Sequence, residues 1–518
     1  MKHPCYRSLM SCNCALMAVS RRNALLKVNS ITSIVHQIVT LVCGFILPRL
    51  IIGHYGSAVY GLVSSITQFL GIIALCELGM GAVVPASLYK PLAEKDKDAI
   101  SRVVVSSEKF YRKIAFLMII YVIGLTAFYP LIVDDYSFIY TASLIVIIAS
   151  STFAQYFFGI TNSLLITADQ KQYVTYCVNI GTVIINLALS YLLIELGASI
   201  QIVKLVSSLV FITRPIVYSL YVRKHYELDR NIKYDVEPIK QKWNGVAQHL
   251  AYTVQEKTGV VVLSLMATLE DVSIYSVYFL IMSGIRGLIY SVTSSLTSFL
   301  GNILAKDEKE ELSRSFQRIE WSLHTITILF FSSAALLVTP FVKVYTMGIS
   351  DANYLVPVFP FLMCAATACR CLQMPYNIVV QAAGHFRQTQ GSAIIEPVID
   401  IVISVLLVNI YGLNGIAIGM LVSIVYRMFY LSLYLTQHIL FTSKRLLLKR
   451  LLVDVLIVIS ILSSCSFITI SQLSYFAWVI MSIKVVILAG LVTIVVNLVF
   501  YRQMTLDFIK KIMYRFKR

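Results

Sequence analysis

Residues 476–501 read FAWVIMSIKVVILAGLVTIVVNLVFY, a run in which Lys484 is the one charge. A helix rises 1.5 Å per residue, so about 20 such residues cross the roughly 30 Å hydrocarbon core of a bilayer. The stretch therefore reads as a membrane span, and the same pattern recurs along the chain. Spans are expected near 28–52, 58–84, 110–133, 137–166, 173–196, 199–221, 245–268, 272–303, 319–345, 354–381, 388–410, 413–438, 451–472 and 476–501. Of 518 residues, 58% are hydrophobic and 13% charged, too little polar surface to cover a water-soluble globule. The fold class that follows is an all-α polytopic membrane protein with about fourteen transmembrane helices.

Charge placement sets the orientation. Lys plus Arg number 43 against 26 Asp plus Glu. The cations collect at both ends of the chain and in the even-numbered connections, as in Lys90, Lys95, Lys97, Arg102, Lys109, Arg112 and Lys113, or Arg223, Lys224, Arg230, Lys233, Lys240 and Lys242. The opposite connections hold mainly Asp134, Asp135, Glu195, Glu270, Asp271 and Asp351. Cytoplasmic loops gather Lys and Arg, so both termini are expected in the cytoplasm. The basic excess then reflects topology and attraction to anionic membrane lipids, not nucleic-acid binding. The first 20 residues lack the apolar core and cleavage pattern of a secretory signal, and are expected to form a disordered leader or to precede the true start. The ten cysteines show no metal-type spacing, and no metal site is expected.

A register shift of about 214 residues lays the first six spans on spans seven to twelve. Asn29 then meets Asn244, Tyr60 meets Tyr275, and Ser101, Arg102 and Glu108 meet Ser313, Arg314 and Glu320. Pro130 falls near Pro340, Asn162 on Asn377, Asn186 and Ser190 on Asp400 and Ser404, and Arg214 on Arg427. The repeat retains the seventh span although Gln248, His249, Gln255, Glu256 and Lys257 interrupt it. Six helices per repeat is an even number, so the halves share one orientation, the parallel-repeat plan of two lobes flanking a central pathway. The expected division is a cytoplasmic leader at 1–27, an N-lobe at 28–221, a basic cytoplasmic linker at 222–244, a C-lobe at 245–440, two further helices at 441–502 that look peripheral, and a basic cytoplasmic tail at 503–518.

The chain reads Leu47-Pro48-Arg49-Leu50-Ile51-Ile52-Gly53-His54-Tyr55-Gly56-Ser57-Ala58-Val59-Tyr60-Gly61-Leu62 and then Cys76-Glu77-Leu78-Gly79-Met80-Gly81. This resembles the opening of the polysaccharide transporters of the multidrug, oligosaccharidyl-lipid and polysaccharide exporter superfamily, flippases for lipid-linked O-antigen or capsule repeat units. Where such relatives often show an acidic-basic pair, an apolar run and a serine, this chain has Glu256-Lys257 and then Val260-Val261-Val262-Leu263-Ser264, and which of the two charges faces a cavity stays open. Each glycine of the first hairpin, Gly53, Gly56 and Gly61, has a simpler reading as turn chemistry. The resemblance implies a bacterial cytoplasmic (inner) membrane location and a lipid-linked oligosaccharide as substrate. It also implies glycan polymerase or glycosyltransferase partners.

Lys257, Arg286 and Arg370 lie more than ten residues from either end of their spans, too deep for their side chains to snorkel to water. Together with Arg49, they are the candidate residues for a pyrophosphate and sugar headgroup, because guanidinium groups bind phosphate through forked, charge-assisted hydrogen bonds. The alternative for each is internal pairing with Glu256, Glu396 or Asp400. Arg214 and Arg427 are expected to snorkel at inner helix ends. Glu396 and Asp400, four residues apart on one helix face, with Glu77 and Glu256, are the candidates for coupling to H⁺ or Na⁺. No other cofactor is expected. The reading is a flippase working by alternating access, not an enzyme. A peptidoglycan lipid-precursor flippase and a multidrug/cation antiporter remain open on the same fold. A membrane glycan polymerase or ligase is disfavoured because the outer connections, of about ten residues or fewer, leave no room for a catalytic loop.

Overall fold

The computed structural model describes residues 5–133, 135–239, 246–306, 308–440, 444–470 and 472–516. Lys2, Asp134, Lys240, Lys242, Asn244, Lys517 and Arg518 lie outside them. Among the described residues every regular element is helical. In chain order the helices are α1 (Cys5–Tyr55), α2 (Ser57–Gly71), α3 (Met80–Glu94), α4 (Lys97–Phe128), α5 (Phe138–Ala154), α6 (Ile160–Ala168), α7 (Gln172–Glu195), α8 (Ile200–His225) and α9 (Val246–Met266). There follow α10 (Leu269–Ala305), α11 (Lys309–Tyr345), α12 (Phe359–Leu372), α13 (Met374–Ala382), α14 (Phe386–Tyr411), α15 (Leu413–His438), α16 (Lys444–Cys465), α17 (Tyr475–Phe500) and α18 (Arg502–Phe516).

Eleven helical stretches among the described residues are long and apolar enough to span a bilayer, and the chain is a multi-pass membrane protein. The three other expected spans are helical but outside that set. One is α9, with its polar centre; another is divided into α12 and α13; the third is α16, which carries Lys449, Arg450 and Asp454. Helix α1 runs unbroken from Cys5, and no glycine or proline interrupts it before Gly44.

The chain forms two compact units. The first comprises residues 1–54 and 69–246, the second 55–68 and 247–518, so most of α2 belongs with the later helices. Within the first unit α8 packs on α5 and α7, and α3 and α4 pack on each other. Two interruptions mark this unit. The second span is not one helix: after a 3₁₀ turn at Ile72–Glu77, Leu78 (φ 51°) and Gly79 (φ 77°) turn left-handed before α3 begins. Only glycine takes that conformation without a Cβ penalty, so Leu78 is strained. Between α5 and α6 a single π-helical turn, Gln155–Gly159, adds one residue to the helical register.

In the second unit α2 is fastened at its N-terminus. The Asp351 carboxylate accepts from the Ser57 amide at 2.6 Å and from the Ser57 hydroxyl at 2.8 Å, placing negative charge against the helix start. Tyr354 continues the network, with its hydroxyl 2.8 Å from that of Ser57 and 2.6 Å from that of Ser273. A Cβ on Gly61 would sit 1.8 Å from the Leu269 carbonyl oxygen, so this glycine permits backbone contact between α2 and α10. Gly56 (φ 89°) makes the turn, as its sequence context suggests. Gly415 and Gly419 play the same close-packing role on α15, where added methyls would strike Leu407 and Ser404 of α14.

Similar local contacts occur on the α7–α8 and α14–α15 helix pairs. Ser190 bonds the Asn186 side chain at 3.5 Å on α7, and Ser404 bonds Asp400 at 3.3 Å on α14. Arg214 reaches from α8 to Thr182 of α7 at 2.7 Å, and Arg427 reaches from α15 to the Thr389 carbonyl of α14 at 3.1 Å.

Helices α16 and α17, expected to be peripheral, are anchored mainly on α11 and on each other. Val453, Ile457, Ile461, Met481, Val485 and Ala489 join one core with Phe316, Leu431 and Leu435. Trp321 of α11 donates its indole N–H to Asn497 of α17 at 2.7 Å. These helices carry an apolar face that needs a partner, and α11 supplies it.

Candidate functional site

The candidate charges of the second unit lie on α9, α10, α12, α14 and α15. Glu256 of α9 receives a two-pronged bond from Arg286 of α10, Nη1 to Oε1 at 2.5 Å and Nη2 to Oε2 at 2.8 Å. The Arg286 guanidinium also lies 5.9 Å from the Phe279 ring centroid and 5.8 Å from that of Tyr290, within cation–π range. Thr268 and Asp271 cap each other's backbone amides, satisfying two donors that a helix start otherwise leaves open.

Lys257 turns away from its neighbour in sequence. Its Nζ donates to the Gln68 side-chain oxygen at 2.6 Å and forms no ion pair among the described residues. A one-residue step on a helix is about 100°, so adjacent charges of α9 necessarily serve different neighbours. Both side chains are accommodated because α9 is packed closely, with Gly259 admitting the Tyr275 ring of α10.

Arg370 occupies the last turn of α12 and is 6% exposed. The helix is interrupted there because Pro375 has no N–H to offer the carbonyl four residues earlier. A cation at a helix C-terminus meets the negative end of the backbone dipole. Its surroundings include Glu396 and Glu256, with Arg286 as a like charge. Its buried Nε has no hydrogen-bond partner among the described residues.

Glu396 and Asp400 share the buried face of α14 with Ser392 and Ser404, as their spacing predicts. One Glu396 oxygen lies 3.8 Å from Arg427 Nε; the other is buried and unbonded among the described residues. Arg427 corrects the sequence expectation. It does not snorkel but is 3% exposed, bonded to the Thr389 carbonyl and to the Ser392 hydroxyl. Its carboxylate and carbonyl partners on α14 replace the water that an inner helix end would offer. Gln255, whose amide bonds the Ser423 hydroxyl at 3.3 Å, extends this polar seam from α9 to α15.

The remaining candidates, Glu77 and Arg49, belong to the first unit. Glu77 accepts from the Tyr156 hydroxyl at 2.6 Å, at the end of the 3₁₀ turn that precedes the left-handed break. Arg49 lies along α1, where Gly53 gives its guanidinium room: a Cβ on Gly53 would be 3.0 Å from Nη1.

One polar centre escaped the sequence reading. His324 Nδ1 lies 2.6 Å from Asp454 of α16, Tyr376 donates to Glu320 at 2.8 Å, and Arg450 pairs with Glu320 at 2.9 Å. All five are buried. Packing of α16 on α11 brings Arg450 to this centre. The signal that pointed to the centre was an acid and a histidine inside otherwise apolar runs.

No protein-family model matches this sequence, and no curated protein does either. Solved structures do match it. Lipid II flippase MurJ in an inward closed conformation is 14% identical and superposes with a TM-score of 0.69 over 92% of this chain and 99% of that one. A multidrug resistance MATE family transporter of the MOP superfamily, outward-facing, is 14% identical with a TM-score of 0.58, over 79% of this chain and 94% of that one. The MATE multidrug transporter DinF-BH is 15% identical, with a TM-score of 0.56 over 81% of this chain and 97% of that one. The protein has the fold of these MOP-superfamily transporters.

Proposed function

We propose that this chain is a flippase. It carries a polyprenyl-pyrophosphate-linked oligosaccharide across the bacterial cytoplasmic membrane by alternating access, with both termini in the cytoplasm, for O-antigen or capsule synthesis. The observation that supports the reading is the pair of deep cations, Lys257 and Arg370, that form no ion pair among the described residues. A cation at mid-membrane costs at least a few kcal/mol, and an anionic pyrophosphate offsets that cost through charge-assisted bonds. Arg286 joins them by exchanging the Glu256 carboxylate for phosphate, and Arg49 is a further headgroup contact. Freed acids then have a use: Glu396 and Asp400, with Glu77 and Glu256, take up H⁺ or Na⁺ while the empty carrier resets. Glycosyltransferases supply the substrate and a glycan polymerase consumes it.

The test is a K257Q/R286Q/R370Q variant expressed in its host. Surface glycan is expected to fall to background with the membrane level of the protein unchanged; normal glycan in that variant refutes the site. A second reading, transport of a peptidoglycan lipid precursor, is favoured by the similarity to MurJ, which extends over 92% of this chain. Proteoliposomes offered each fluorescent lipid separately distinguish the two.

A further inference from the structure

A second charged centre lies entirely within the first unit, where Glu108 and Arg112 of α4, Phe157 and Asn162 beside the π-helical turn, Arg223 of α8 and Arg230 beyond it line one cavity. Three guanidinium groups face one carboxylate, leaving a net charge of +2. Glu108 holds two of the three, Arg230 at 3.0 Å and Arg112 at 3.6 Å. Arg223 has no ion pair among the described residues. The carboxylate therefore positions the arginines without neutralising them, which is how a phosphate site is kept open in the absence of its ligand.

Two further observations point to what the cavity takes. Asn162 is 3% exposed, and its amide N–H bonds the Phe158 carbonyl at 2.8 Å, while its Oδ1 is buried with no donor among the described residues. An orphaned acceptor beside an anion site fits a phosphate that bears hydroxyl groups. The π-helical turn presents Phe157, over which the Arg112 guanidinium stacks at 5.4 Å, and also Phe158, which is 55% exposed. Arg223 lies in the last turn of α8 and Arg230 in the segment after it, a helix-end level suited to headgroups, with the exposed ring placed to touch an acyl chain.

We infer that the cavity framed by Arg112, Arg223 and Arg230 binds a hydroxyl-bearing phosphate headgroup, supplied by an anionic membrane lipid such as phosphatidylglycerol. The site shares no residue with the Lys257, Arg286 and Arg370 centre; its lining residue Tyr156 also donates to Glu77. The experiment uses the full chain, purified and delipidated, with native mass spectrometry reading lipid retention and thermal unfolding reading stabilisation. Its probes are phosphatidylglycerol, phosphatidylcholine and inorganic phosphate. Saturable retention of phosphatidylglycerol over phosphatidylcholine is expected, weakened about tenfold or more in R223A/R230A, since each lost charge-assisted bond carries a substantial share of binding. R223K/R230K should recover part of it. Stabilisation by inorganic phosphate without lipid selectivity assigns the same chemistry to a free phosphate and overturns the lipid source. If R223A/R230A unfolds, R223A alone, at an exposed helix end, is measured instead. Equal retention of both lipids, or retention unchanged in a folded arginine variant, overturns the site.

Discussion

Replacing Glu256 with Gln should destabilise the protein more than replacing its partner Arg286 with Gln, and the asymmetry follows from who remains. The pair is largely buried, with side chains 15% and 11% exposed, so solvent does little to screen it. In E256Q the Arg286 guanidinium loses its counter-charge and one of its two acceptors, and is left with one amide oxygen, two aromatic faces and a like charge at Arg370. Breaking a buried pair from one side costs about 3–5 kcal/mol, and the cation–π contacts, present before and after the change, do not offset it. In R286Q the Glu256 carboxylate still has Arg370 and Lys257 in its surroundings, and the expected loss is about 1–2 kcal/mol smaller than in E256Q. Chemical unfolding of the two variants in nanodiscs, together with E256Q/R286Q, closes a double-mutant cycle. A coupling near zero, or R286Q the costlier single change, would falsify the view that this cluster holds more positive charge than its acids balance.

Gly61→Ala should cost several kcal/mol or prevent folding, because the new methyl would lie 1.8 Å from backbone. Gly81→Ala has nothing within 4 Å and is the control; equal melting temperatures would refute the contact between α2 and α10. Asp454→Asn should lower stability by about 1–3 kcal/mol by unpairing a buried His324, and an unchanged denaturation midpoint would show α16 to be loosely attached. Outside the membrane, the Lys97 ammonium holds the exposed Glu227 carboxyl below its usual value. A depressed carboxylate contributes its bond above the unfolded pKa and loses it as pH falls through the folded one. A spin label at Asn231 should therefore gain mobility in the wild type as pH falls through and below the ordinary glutamate range, and be mobile throughout in K97Q; the same profile in both would remove this anchor.

Much of the candidate site was legible in the sequence because intramembrane charge is expensive and hence informative. Lys257, Arg286, Arg370, Glu396 and Asp400 were all marked by depth alone, and the helix period put the two acids of α14 on one face. Pairing was not legible. Whether Arg286 met Glu256, Glu396 or Asp400 depended on the rotation and approach of separate helices, which hydropathy does not encode. Arg427 illustrates the failure most directly. Distance from a helix end suggested an escape to water, yet α14 lies across the route and supplies carbonyl, hydroxyl and carboxylate partners instead.

What the sequence determined by itself was the class of solvent, and the internal duplication is an expectation it alone supplies. Both are written in one dimension: a run of apolar residues must be a helix in lipid because its backbone has nothing else to bond, and a repeat is a comparison of the chain with itself. The tertiary structure decided where helices break and which polar groups meet. Leu78 and Gly79, the π turn at Gln155–Gly159 and the centre at His324 and Asp454 all lie inside stretches that read as uniform spans. Their roles come from neighbours far along the chain or one helix over, and only packing brings those neighbours into contact.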